Sequence, residues 1–206
     1  FMYMKKILLE QTDEDIVLKY LKDTIKNTEW DNKVLLVGGA VRDEIMGLKP
    51  KDLDFVINGD LNAGIDFSIW LAKKLNIFKQ DSNPVVYPRF GTSKLSLKNN
   101  NLNLPDLELE FVAPRQEKYT PGDRKPDVTG GDLTDEVYRR DLTINSLLKN
   151  ISNDKIIDIT GNGINDIKKG IIRTTSNPDI IYSDDALRMM RTIRFSVKYG
   201  FEILPE

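Results

Sequence analysis

Leu36-Val37-Gly38-Gly39-Ala40-Val41-Arg42-Asp43, followed by Lys51-Asp52-Leu53-Asp54-Phe55-Val56, is the stretch whose reading decides the fold. It predicts a strand, a tight glycine turn, the start of a helix, and a second strand carrying two carboxylates two residues apart. Side chains on a strand alternate faces, so Asp52 and Asp54 point the same way. Two carboxylates on one face of an apolar strand repel each other and lose solvation, unless a cation lies between them. Mg²⁺ prefers oxygen ligands and usually takes one or two carboxylates plus substrate phosphates. The paired glycines let backbone approach a phosphate, and the following helix offers free N–H groups to it. A phosphate cradle beside an Asp-x-Asp pair points to nucleotidyl or phosphoryl transfer.

The totals narrow the chemistry. The chain has 206 residues, 40% hydrophobic and 30% charged, which suits one domain, or one domain and the start of another. It contains no Cys and no His. Thiolate nucleophiles, sulfur-ligated zinc and histidine bases are therefore excluded, leaving carboxylates, Lys, Arg, Tyr, hydroxyls, backbone N–H and a hard metal. A net charge of −2 gives no overall basic footprint for nucleic acid, although a local one remains open. There is no apolar run of membrane-spanning length and no signal-peptide pattern, and the lack of Cys fits a cytoplasmic protein.

Periodicity predicts the remaining elements. Helices are expected over Thr12 to Lys26, Ala40 to Met46 and Ala63 to Leu75. Strands are expected over Val34 to Val37 and Leu53 to Ile57, with a strand pair over Phe90 to Leu97 and Leu104 to Val112. From Arg115 to Asp132, Pro121-Gly122, Pro126 and Gly130-Gly131 sit among charges, which reads as a long binding loop. A helix is expected to begin near Asp135 and to carry Arg139 to Ser146. Ile156 to Ile159 and Ile171-Ile172 read as strands flanking a short helix from Ile164 to Lys169. A last helix is expected from Ser183 to Tyr199. Ala40, Val41, Met189 and Met190 read as core.

Three constellations add to the Asp-x-Asp pair. Glu108 and Glu110 alternate with Leu107, Leu109 and Phe111, so both face one side of a strand and either could supply a third carboxylate. Asp141 and Asn145 are expected one turn apart on a helix face, beside Arg139 and Arg140, which can bind phosphate bidentately. Asp184 or Asp185 can cap the last helix. Together with Arg188, Arg191 and Arg194 they also offer donors and acceptors that could match a base edge.

In order along the chain, Val37-Gly38-Gly39-Ala40-Val41-Arg42-Asp43, Asp52-Leu53-Asp54, Arg89-Phe90-Gly91-Thr92, Glu108 to Arg115, Arg139 to Ser146, Asp158-Ile159-Thr160-Gly161 with Asp166 and Arg173, and Asp184-Asp185-Ala186-Leu187-Arg188 resemble one family. This family is the class II (bacterial-type) CCA-adding tRNA nucleotidyltransferases and the related bacterial poly(A) polymerases. The resemblance implies an α+β fold: a polymerase beta-like head with a small mixed sheet flanked by helices over residues 1–172, then the start of a helical neck over 173–206. It implies that Asp52 and Asp54 hold two Mg²⁺ ions. It selects Glu110 as the third catalytic carboxylate, because the family's strand carboxylate lies five residues before an arginine, here Arg115. Gly38, Gly39 and Arg42 would face the triphosphate. Arg140, Asp141 and Asn145 would hold the ribose and phosphates. Asp185 and Arg188 would read the base of CTP or ATP, with Arg191 on the phosphates. The loop from Gln116 to Asp132 matches the family's flexible loop, which helps switch from C to A addition.

The implied activity is template-independent addition of C and A to the 3′ end of tRNA, with RNA and nucleoside triphosphates as partners and no DNA or membrane. CC-only, A-only and poly(A) addition are the alternatives within the family. A catalytically idle nucleotide- or RNA-binding module, and transfer to a protein or small molecule, are the alternatives outside it. Two departures stand out: the base-reading motif begins Asp184-Asp185 where the family usually has Glu-Asp, and the family's tRNA-binding body and tail do not follow within these residues. The chain is accordingly expected to be either a piece of a longer protein or a minimal form.

Overall fold

The computed structural model describes residues 11–120 and 126–204. Thr12 opens α1 (Asp13–Ile25) with a capping box: its hydroxyl accepts from the Asp15 amide, and the Asp15 carboxylate accepts from the Thr12 amide. The helix buries Val17, Leu21 and Ile25. There follow β1 (Val34–Val37), α2 (Gly39–Ile45), β2 (Leu53–Ile57), α3 (Ala63–Lys74), β3 (Val85–Tyr87), β4 (Thr92–Ser96) and β5 (Glu108–Val112). Next come β6 (Arg115–Lys118), β7 (Asp127–Gly130), α4 (Leu133–Tyr138), β8 (Leu148–Asn150), β9 (Ile156–Ile157), α5 (Gly163–Lys169) and β10 (Ile171–Ile172). The described chain ends with α6 (Pro178–Asp184), α7 (Leu187–Tyr199) and β11 (Glu202–Ile203).

Seven strands form one mixed sheet in the order β3-β4-β5-β2-β1-β8-β9, with β2 and β5 parallel and the other neighbours antiparallel. The period of two divides each strand between two faces. Leu53, Phe55 and Ile57 of β2 join Leu109 and Phe111 of β5 in the main core, where Phe67 of α3 packs edge-on against Phe111 at 5.1 Å. Gly64 lets α3 lie this close: a Cβ there would stand 2.9 Å from the Val112 carbonyl carbon. The opposite face carries a smaller cluster of Leu35, Val37, Val56, Val112, Val137 and Leu148, where α4 packs. Asp54, Glu110 and Lys94 belong to this second face, beyond the reach of that cluster. The expected small mixed sheet with flanking helices is therefore the observed architecture.

Four expectations are corrected. Arg115 to Asp132 is not wholly a loop: β6 and β7 pair antiparallel from Arg115↔Gly130 to Lys118↔Asp127. Charged side chains rather than an apolar face anchor this ribbon, so hydropathy hides it. Residues 121–125 of the expected loop lie outside the described residues. The helix expected to run through Ser146 stops at Tyr138, with Arg139 as its C-cap. Leu142 turns extended (φ −124°, ψ 146°), the Asp141 carboxylate accepts its amide at 2.8 Å, and Thr143–Asn145 forms a single 3₁₀ turn. The last helix is broken at Asp185 (φ −151°, ψ 108°), whose carboxylate accepts the Leu187 amide at 3.0 Å and so caps α7. Met189 and Met190 are not core: they are 47% and 64% exposed, on the outer side of α7. The edge strand β3, three exposed residues long, was not among the expected strands, although Val85-Val86-Tyr87 has strand-favouring composition.

Candidate active site

The register of the central strands builds the carboxylate cluster. β2 and β5 run parallel with Asp54 opposite Glu110, and β4 runs antiparallel to β5 with Lys94 opposite Glu110. Asp52 lies one residue before β2, on the same side as Asp54 by strand alternation. Glu108 shares that side, but the paired position opposite Asp54 belongs to Glu110. Lys94 Nζ approaches Glu108 Oε1 at 3.3 Å and Glu110 Oε2 at 3.5 Å. Lys94 was not foreseen, although the alternation Thr92-Ser93-Lys94-Leu95 places it on this face.

Asp54 is open to solvent, yet its carboxyl is held above the usual 3.8. Crowding by protein is the largest cause, followed by repulsion from Glu110; Arg140 and Lys94 pull down and Asp52 pushes up. A carboxylate repelled by two neighbours suits a hard divalent cation, and the donors are all oxygens. Among the described residues no three or more such side chains already close into a metal cage.

The glycine turn lies at the end of β1. Gly38 has φ +72° and ψ −125°, a conformation glycine reaches without penalty. A Cβ at Gly38 would meet the Asn145 carbonyl oxygen at 3.4 Å and Arg140 Nη1 at 3.5 Å. The Gly38 amide donates to the Leu147 carbonyl, which fastens the turn to the segment following the 3₁₀ turn. Arg140 thus stands over the turn. One side of its guanidinium is fixed by Glu136 (Nη2 to Oε1, 2.7 Å), and its Nε is buried with no partner among the described residues.

Glu136 was missed by sequence reasoning. It is fully buried and also accepts two bonds from Arg139, Nε to Oε2 and Nη2 to Oε1, each 2.7 Å. Its signal was its spacing, three and four residues before two arginines. Arg139 Nη1 continues to Glu117 of the ribbon at 3.2 Å. Glu117 also accepts from Arg115 Nε and the Tyr119 hydroxyl, both at 2.9 Å. Burial raises the Glu117 carboxyl, but Arg139 and Arg115 outweigh it and hold the group below its usual 4.5. Burial, with Glu117 beside it, pushes the Tyr119 hydroxyl up to about 12, so it remains a donor.

Asp141 and Asn145 do meet, although not on a helix: Asn145 Nδ2 donates to Asp141 Oδ1 at 3.3 Å across the 3₁₀ turn. Asp166, fully buried, secures that turn by accepting from Thr143 Oγ1 (2.7 Å) and Arg173 Nη2 (3.2 Å). Asp141 Oδ2 accepts Arg191 Nε from α7 at 2.7 Å. Arg42 lies beneath the turn, 5% exposed, and donates to Asn145 Oδ1 (2.5 Å) and twice to Asp43 Oδ1 (2.9 and 2.7 Å). Two of its five N–H groups are left over. Arg188 is buried, with its fork on the carbonyls of Arg139 (2.9 Å) and Ile181 (3.3 Å). Gly38, Gly39, Arg140, Asp141, Asn145 and Arg191 are thus gathered around one turn. Arg42, Asp185 and Arg188 frame it, each with some of its polar atoms engaged by other groups.

Residues 34–173 match the family described as "Poly A polymerase head domain". The chain is 33% identical over 213 residues to a tRNA nucleotidyltransferase, cca2, of Schizosaccharomyces pombe, covering 97% of this chain and 43% of that protein. It is 33% identical over 220 residues to a mitochondrial CCA tRNA nucleotidyltransferase of Saccharomyces cerevisiae, covering 98% and 38%. Relatives at 29–30% identity are named an A-adding enzyme of Aquifex aeolicus (83% and 19% covered), a CC-adding enzyme of Deinococcus radiodurans (91% and 46%) and poly(A) polymerase I of Escherichia coli (94% and 40%). Among solved structures it resembles a CCA-adding enzyme in an apo form, with TM-score 0.73 and 27% identity over 96% of this chain and 43% of that one. It also resembles the Bacillus stearothermophilus CCA-adding enzyme in complex with CTP, with TM-score 0.67 and 26% identity over 94% and 41%. The chain spans about two fifths of the length of the curated relatives it matches first.

Proposed function

The chain belongs to the poly(A) polymerase head-domain family, and from that premise we propose that it carries the catalytic centre of an RNA nucleotidyltransferase adding C and A from CTP and ATP to the 3′ end of tRNA. The observation that carries this reading is the register that sets Glu110 against Asp54 on the open side of the sheet, with Asp52 beside them and the Gly38-Gly39 turn at the end of the neighbouring strand. In the reaction the terminal hydroxyl of the RNA attacks the α-phosphorus of the triphosphate, and pyrophosphate leaves. Asp52 and Asp54 would hold two Mg²⁺ ions, with Glu110 as the third catalytic carboxylate beside them. Held there, the metal would lower the hydroxyl's pKa and would neutralise charge on the leaving pyrophosphate.

The protein's own part is positioning. The glycine turn, free of side chains, admits the triphosphate to the backbone. Arg140 supplies a cation whose direction Glu136 sets. Asp141 and Asn145 offer acceptor and donor atoms to the ribose, and Arg191 reaches the phosphates from α7. Asp185 and Arg188 read the base edge by exchanging their present partners, the Leu187 amide and two backbone carbonyls, for it. Residues 1–172 act as the head and 173–206 as the beginning of the neck. Among the described residues no helix is long and apolar enough to cross a membrane.

The test is incorporation of labelled CTP and ATP, separately and together, into tRNA lacking its 3′ end. Two C residues followed by one A support CCA addition. A ladder of A on general RNA moves the assignment to poly(A) synthesis, and incorporation of C alone or A alone moves it to a partial enzyme. Glu110 to Tyr119 and the following Arg124-Lys125-Pro126 resemble CCA-adding enzymes more than poly(A) polymerases, and that resemblance favours the CCA type.

A further inference from the structure

The Gly38-Gly39 turn is the least self-supporting part of the site. Two consecutive glycines carry the largest backbone freedom, and α2, only seven residues long, is too short to hold its own first turn. Besides the Gly38 amide bond to the Leu147 carbonyl, a second brace comes from α7. The Arg42 guanidinium carbon stands 5.1 Å from the ring centroid of Phe195 and 4.9 Å from that of Tyr199, and the two rings are 6.0 Å apart and 5° from parallel. The Tyr199 hydroxyl is 3.4 Å from Asp43 Oδ1, the oxygen that also accepts from Arg42. Phe195 has a second cation near it, Arg191, at 5.5 Å. Arg191 binds Asp141, Asp141 binds Asn145, and Asn145 binds Arg42. The contacts close into a ring that joins the glycine turn to the helix bearing Arg191.

We infer that Phe195 and Tyr199 are positioning residues for triphosphate binding: by holding Arg42 they fix the glycine turn relative to α7. The inference rests on the turn being the triphosphate cradle of the proposed function. Neither ring touches the nucleotide in this scheme. Both act through Arg42, whose weakly hydrated planar head suits an aromatic face.

The experiment uses the 206-residue chain and the variants Tyr199→Leu, Phe195→Leu and Tyr199→Phe, with two readouts. Amide exchange of Gly38 and Arg42, which donate to the Leu147 and Gly38 carbonyls, reports the turn without nucleotide. Titration with CTP in Mg²⁺ reports the cradle. Each leucine variant is expected to speed exchange at these two amides, and to weaken CTP binding, on the order of three- to thirtyfold, the range set by a cation on an aromatic face. Amides of α3 should not change, and Tyr199→Phe, which keeps the ring, should follow the wild type. Unchanged exchange at Gly38 and Arg42 in both leucine variants overturns the inference. So does an equal loss of protection in α3, which marks general destabilisation. A wild-type chain that binds neither CTP nor ATP overturns the proposed function and the nucleotide half of this inference, while the exchange rates still decide whether the rings hold the turn.

Discussion

Replacing Glu136 by glutamine tests the arrangement of the arginines most severely. The native carboxylate has no exposed surface and accepts three bonds of 2.7 Å from two guanidinium groups. The amide keeps the volume but loses the charge, and it turns an NH₂ toward N–H donors. Removing one partner of a buried ion pair costs about 3–5 kcal/mol. Arg139 and Arg140 are 17% and 20% exposed, so water softens the loss, and Arg139 keeps Glu117. A value of about 2–4 kcal/mol follows. For a chain of this length each kcal/mol lowers the melting temperature by about 2–4 °C, giving a drop of about 4–16 °C. Thermal unfolding followed by circular dichroism measures it. Because Glu117 shares Arg139, the double variant Glu136→Gln, Glu117→Gln should depart from additivity. A Glu136→Gln protein that melts within about 1 °C of the wild type and binds CTP equally well would refute the claim that Glu136 orients Arg139 and Arg140.

Three further outcomes are expected. Mg²⁺ at ten times its Kd should stabilise the wild type by about 1.4 kcal/mol, and Asp54→Asn should abolish most of that shift in a calorimetric scan; an equal shift in both proteins would remove Asp54 from the cation site. Because Glu117 is held below its usual 4.5, its contribution is fully present above that pH and is lost as pH falls through the lower folded value. Melting temperature against pH should therefore fall on the acid side, and less steeply in Glu117→Gln; parallel curves would contradict the buried cluster. Gly38→Ala should cost about 1–3 kcal/mol, because alanine at φ +72°, ψ −125° is strained, and should weaken triphosphate binding in titration; unimpaired binding would show that the turn is not the cradle.

The central strands were legible because they obey simple rules. Val34 to Val37 and Leu53 to Ile57 are short apolar runs ended by Gly38 and by Asn58-Gly59, and the carboxylates follow from alternation. The ribbon was hidden because Arg115, Glu117 and Tyr119 are held by ion pairs and a hydroxyl bond, not by an apolar face that periodicity could report. The end of α4 was hidden because contacts with distant residues decide it: the Thr143 hydroxyl is bound to Asp166, the Thr143 amide donates to the Arg173 carbonyl, and the Asp141 carbonyl accepts the Thr175 amide. The break at Asp185 was legible only as a possible cap. Its neighbours Arg188 and Arg191 then part company, one buried on carbonyls and one half-exposed on Asp141. No spacing rule distinguishes those two fates.

The central claim is that Asp52, Asp54 and Glu110 serve nucleotidyl transfer. It is tested most directly with CTP labelled at the α-phosphate or at the γ-phosphate, incubated with Mg²⁺ and tRNA lacking its 3′ end. The expected result is α-label in the RNA, γ-label in pyrophosphate, and loss of both in Asp54→Asn and Glu110→Gln with the fold intact. Transfer of the γ-label to the acceptor, or undiminished transfer by either variant, would contradict it.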